Sequence, residues 1–133
     1  MAKENILWFS EIRKESVNQV GGKGASLGEM YSLLTPKGIN IPNGFSTTAH
    51  AYLSFLQYND FDKKLKELFD KLNPDDLSSI QETGKKARKL ILSGKLPPDL
   101  RQDIVEAYQK LCQEYGKNAD VAVRSSATAE DLP

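Results

Sequence analysis

Two short stretches of this chain carry residues suited to holding phosphate. Gly21-Gly22-Lys23-Gly24 sets a full positive charge among residues with no side-chain bulk, so backbone amides can approach an anion closely. About a hundred residues later come Val121-Ala122-Val123-Arg124-Ser125-Ser126-Ala127-Thr128. There the alternation predicts a strand with both valines on one side and Arg124 on the other beside the small Ala122. A guanidinium matches phosphate oxygens with two parallel donors and never loses its charge, and Ser125, Ser126 and Thr128 add hydroxyls around the following turn. Two cationic groups on small-residue loops outline a triphosphate site. The same residues have structural readings: a turn feeding a helix at Gly21 to Gly24, an acid partner for Arg124, and a helix cap from Thr128 and Asp131.

The glycine loop fits neither of two common nucleotide motifs. Val17 stands where a Walker loop needs its first glycine, and Leu27 fills the third glycine position of a dinucleotide fingerprint counted from Gly22. Other candidates read as structure. His50, the single histidine, lies early in a predicted helix between two alanines, and Cys112 borders an apolar helix face. The cluster Lys85, Lys86, Arg88 and Lys89 reads as a solvated helix face. Glu130 and Asp131 are a weak metal signal, because magnesium sites also draw on substrate phosphates and waters.

Helices position these loops. A helix begins at Gly24 or Ser26, the latter with Glu29 as a capping box, and carries Leu27, Met30, Tyr31 and Leu34 on one face. Lys23 therefore lies at or just before a helix N-terminus. Ile6 to Phe9 reads as a short buried strand, and Ser10 to Gln19 shows no period. Short extended segments are predicted at 38–41 and 45–47, and Thr47 or Thr48 caps a helix bearing Tyr52, Phe55 and Leu56. Asp60 leads a helix with Phe61, Leu65, Leu68, Phe69 and Leu72 on one stripe. Asn73-Pro74-Asp75-Asp76 opens another that stops at Gly94, and Pro97-Pro98-Asp99 opens the last, which stops at Gly116.

Composition limits the function classes. The 133 residues are 39% hydrophobic and 27% charged with a formal net charge of zero, so a soluble globular α+β chain is expected, mostly helical with a few short strands. No basic stripe interleaved with aromatics supports nucleic-acid or membrane-surface binding. A single cysteine forms no internal disulfide, and no Cys/His spacing suggests zinc. The first residues hold an apolar run too short for a signal peptide or a span, which makes a cytoplasmic protein the expectation.

Taken together, Asn18 to Met30, Ile41-Pro-Asn-Gly-Phe-Ser-Thr-Thr48 and Val121 to Pro133 resemble, in order and spacing, the N-terminal part of the phosphoenolpyruvate-utilising dikinases, the phosphoenolpyruvate synthases (pyruvate, water dikinases) in particular. The likeness extends to the Leu7-Trp8 start, while residues 60–115 match in pattern only. It implies that residues 1–133 are the first lobe of an ATP-grasp nucleotide-binding domain within a larger multidomain enzyme. Lys23 and Arg124 would contact ATP phosphates, supported by Gly21, Gly22, Gly24, Ser125, Ser126 and Thr128. It further implies a reaction of ATP, pyruvate and water to AMP, phosphoenolpyruvate and phosphate, through a phosphohistidine on a mobile domain of the same parent chain. No catalytic residue and no metal ligand is expected here; magnesium would be held outside this segment, which alone would be inactive. Gly24 replaces an asparagine frequent in the synthases and matches relatives that phosphorylate rifampicin. Rifampicin phosphotransferase and pyruvate phosphate dikinase are thus alternatives, as is a non-catalytic helical interaction module.

Overall fold

The computed structural model describes residues 4–129, so Glu130 and Asp131 lie outside the described residues. The chain runs through β1 (Ile6–Trp8), α1 (Val17–Leu34), β2 (Phe45–Thr47), α2 (Ala49–Tyr58), α3 (Phe61–Asp70), α4 (Leu77–Ser93) and α5 (Pro98–Tyr115), with three short 3-10 turns between β1 and β2. It is an α+β chain, mostly helical. It divides into two compact units, residues 1–52 with 98–133 and residues 53–97, the division falling within α2.

In the first unit β1 and β2 pair antiparallel, Ile6 opposite Thr47 and Trp8 opposite Phe45. The rings of Trp8 and Phe45 meet with centroids 5.4 Å apart. The strand expected to reach Phe9 ends at Trp8, because the Glu11 carboxylate accepts the Trp8 amide at 2.8 Å and turns the chain into a 3-10 helix. Ile12, in the stretch without a period, is fully buried and packs with Leu7, Val20 and Ala25. Helix α1 approaches Ile12 so closely that a Cβ on Gly28 would lie 2.4 Å from its side chain. Ser26 is inside α1 and caps nothing there, while Glu29 accepts the Lys14 amide at 3.0 Å. Both facts correct the capping-box expectation: the helix starts earlier, and its acid fastens the preceding turn.

Residues 38–41 pair with no strand, so β2 alone represents the two extended segments expected there. The Thr48 hydroxyl accepts the Ala51 amide at 3.1 Å and donates to the Glu4 carbonyl at 2.6 Å, which caps α2 and anchors the chain leading into β1. Asn5 donates to Asp103 of α5 at 2.8 Å. At the far end of α5, Gly116 takes φ 106°, a conformation that favours glycine, and the helix stops. Tyr108 donates its hydroxyl to the Ala119 carbonyl at 3.0 Å and pins the chain beyond that stop.

In the second unit Phe55, Leu56 and Phe61 form the core with Leu65, Leu90 and Ile91 against them. The Asn59 side chain closes this unit by bonding both the amide and the carbonyl of Lys95 at 2.9 Å. Asp60 precedes α3 in the left-handed region without a side-chain cap. The start of α4 lies three residues later than Pro74 suggested. Asp76 is the capping residue, accepting the Ser78 amide at 3.0 Å, and Asn73 instead folds onto the Asp75 amide.

Candidate functional site

The glycine loop is a break within α1. Residues 17–20 form one helical turn, and Gly21 then takes φ 76° and ψ 174°, outside the helical region and readily reached only by glycine. Helix geometry resumes at Gly22, so Lys23 sits in the first turn of the resumed helix, as expected. Amides in a first turn have no carbonyl a turn before them, and the helix dipole is positive there. The exposed Lys23 adds its own charge at the same end.

The distant serine-rich stretch meets this break. The Ser126 hydroxyl donates to the Val20 carbonyl at 2.6 Å and accepts the Gly24 amide at 3.0 Å. One side chain thus satisfies a backbone group before the break and one after it. The Gly22 amide donates to the Ala127 carbonyl at 3.2 Å. A Cβ on Gly21 would stand 2.4 Å from the Ser126 Oγ and 2.7 Å from the Ala127 nitrogen, so the missing side chain is what admits the second segment. The amides of Gly22 and Gly24 are thus engaged by the protein's own chain.

This clasp bounds the separation of the two cationic residues. Summing the two residues from Arg124 to Ser126, the serine side chain, the 3.0 Å bond and the step to Lys23 puts their Cα atoms at most about 15 Å apart. Arg124, Ser125 and Thr128 are exposed. The structure joins the segments that carry all the predicted site residues.

The predicted strand at Val121 to Arg124 does not form. Val121 and Val123 are 53% and 93% exposed, and residues 121–127 have no regular structure. Alternation supplies strand propensity, but a strand needs a neighbour for its backbone groups. Among the described residues the sheet contains only β1 and β2.

Ser126 is the residue whose role sequence reading understated. Serine near small residues was visible, but a contact spanning more than a hundred positions has no periodic signal. His50 is half-buried in the first turn of α2 and Cys112 half-buried on α5. Tyr108 has its phenol held above the ordinary value of 10.0, chiefly by its side-chain hydrogen bond with Cys112. Among the described residues no group of three or more His, Cys, Asp or Glu side chains could hold a metal ion. No helix there is long and apolar enough to cross a membrane.

Comparison with known proteins adds a family. Residues 17–133 match the pyruvate phosphate dikinase AMP/ATP-binding domain. Over 133 residues the chain is 50% identical to phosphoenolpyruvate synthase of Synechocystis sp., covering 96% of this chain and 16% of that protein. It is 48% identical over 133 residues to phosphoenolpyruvate synthase of Aquifex aeolicus, covering 99% and 16%. With the Escherichia coli phosphoenolpyruvate synthase it shares 42% identity over 128 residues, covering 96% and 16%. The chain spans about a sixth of the length of these curated relatives.

Proposed function

The chain belongs to the family of pyruvate phosphate dikinase AMP/ATP-binding domains, and from that premise we propose that it is the first lobe of the ATP-grasp nucleotide-binding domain of a phosphoenolpyruvate synthase. The single observation that supports this reading is the Ser126 clasp across the Gly21 break, which ties the segment bearing Arg124 to the one bearing Lys23.

In this reading ATP lies with its phosphates toward the first turn of the resumed helix. Lys23 supplies a compact charge and Arg124 a planar pair of donors to neighbouring phosphate oxygens. Phosphoryl transfer asks a protein mainly for positioning and for neutralising charge that spreads over the transferred group, and these two side chains are suited to both. Gly21, Gly22 and Gly24 let the two segments pack without side-chain bulk, and Ser125 and Thr128 offer further hydroxyls beside the guanidinium. Magnesium would arrive with ATP and share its phosphate charge. The full reaction, ATP, pyruvate and water to AMP, phosphoenolpyruvate and phosphate, passes through a phosphohistidine on another domain of the longer protein.

The direct test is an amide-resolved NMR titration of the chain with ATP and magnesium. Shifts centred on residues 21–24 and 124–128 support the proposal; a response elsewhere, or none at millimolar ATP, refutes it. In a full-length enzyme carrying this lobe, Lys23→Ala removes a charge-assisted contact worth about 1.5 to 3 kcal/mol. The expected loss in ATP-dependent rate is about ten- to a hundredfold or more, and unchanged kinetics would remove Lys23 from the site.

A further inference from the structure

We infer that the groove between α3 and α4 is a docking site for an acidic amphipathic helix of a partner protein. This rests on the second unit alone and is independent of the nucleotide reading. The shallow groove encloses about 480 Å³ and is lined by Leu68 and Leu90, by Lys64, Lys71, Lys86 and Lys89, and by Ser93, with Glu67 the one acid lining it.

The basic cluster at 85–89 that reads as one solvated face is divided by the helix. Lys86 and Lys89 line the groove, whereas Lys85 and Arg88 do not. Along α3 and the residue that ends it, Lys64, Leu68 and Lys71 follow one another at steps of four and three residues; on α4, Lys86, Leu90 and Ser93 do the same. Both walls therefore repeat over the same seven residues, a length of about 10 Å, with an apolar residue between polar ones. That is the spacing a third helix presents when it packs against a helical pair.

The charge states what such a helix must carry. An apolar residue would seat over Leu68 and Leu90, with Asp or Glu about one turn to either side facing the lysines. The Lys86–Glu82 pair, 3.1 Å apart along α4, is solvent-exposed on both sides and leaves the groove cationic. The apolar side chains between the lysines are of no use to a nucleic-acid backbone.

The test uses the whole chain and a synthetic helical peptide with leucines flanked by glutamates one turn away, read by amide shifts. Binding is expected to perturb residues 64–71 and 86–93, and to weaken at least about tenfold with glutamine in place of glutamate. The exposed pair of changes Lys71→Glu and Lys89→Glu should abolish it, and Lys71→Gln with Lys89→Gln should weaken it without reversing the field. Equal binding by the glutamine peptide, shifts outside the groove, or tighter binding to phosphatidylglycerol vesicles or duplex DNA at the same residues would overturn the inference. ATP titration shifts at residues 21–24 and 124–128 are a separate readout, so either proposal can fail alone.

Discussion

Replacing Ser126 by alanine removes one oxygen and should release the serine-rich segment from the break in α1. The lost groups are a donor to the Val20 carbonyl at 2.6 Å and an acceptor for the Gly24 amide at 3.0 Å. Each neutral hydrogen bond contributes about 1 kcal/mol net, so the pair contributes about 2 kcal/mol to docking of residues 124–127. Gly24 is buried, so its orphaned amide leans the figure toward the upper end. Two kcal/mol corresponds to about a 30-fold change in an equilibrium constant. Amide hydrogen exchange should therefore show Gly24 exchanging about 30-fold faster in the variant, while amides in the middle of α4 keep their protection. Ser125→Ala is the control, because that exposed neighbour makes no bond to the break. Exchange at Gly24 that is unchanged, or raised equally by the control, would refute the view that this hydroxyl fastens the two segments. Affinity for ATP should fall with the loosened clasp, because Arg124 would spend less time near Lys23.

Gly28→Ala should destabilise the first unit by about 1 to 3 kcal/mol, since its Cβ would meet the fully buried Ile12 at 2.4 Å; chemical denaturation measures this, and a neutral result would mean that α1 shifts freely. Gly94→Ala should loosen the second unit by a similar amount, because the added carbon would fall 2.6 Å from Phe55 and 2.7 Å from Phe61. Proteolysis between residues 53 and 97 reads this out. Tyr108 titrates above 10.0, so its folded form favours the protonated phenol. The stability it contributes is complete below pH 10 and is lost as pH rises through the folded value. Tyr108→Phe should remove this alkaline loss, and an ultraviolet titration of the phenolates should lose one component that ionises above 10.0.

Helices were legible where the sequence carried both a stripe and a stop. The ends of α4 at Ser93 and α5 at Tyr115 fall where Gly94 and Gly116 predict them. The start of α4 was misplaced because Asn73 and Asp76 are both good capping residues, and only the folded turn decides that Asp76 takes the role. Ile12 escaped notice because 3-10 turns carry no 3.6-residue period. The alternation at Val121 to Arg124 is a real signal without a partner strand to satisfy it. At the candidate site, residue types alone suggested the phosphate-binding role proposed for Lys23 and Arg124. The path of the chain that joins them depends on a serine and three glycines whose pairing no spacing rule encodes.

The Ser126–Val20 bond links positions 106 apart, which orders events as the polypeptide emerges from a ribosome. Helices α1 to α3 can form from local contacts before that serine is made, and closing so large a loop is entropically costly. The break beside Lys23 is therefore closed only after residues 124–127 have been made, later than the local contacts of α1 itself.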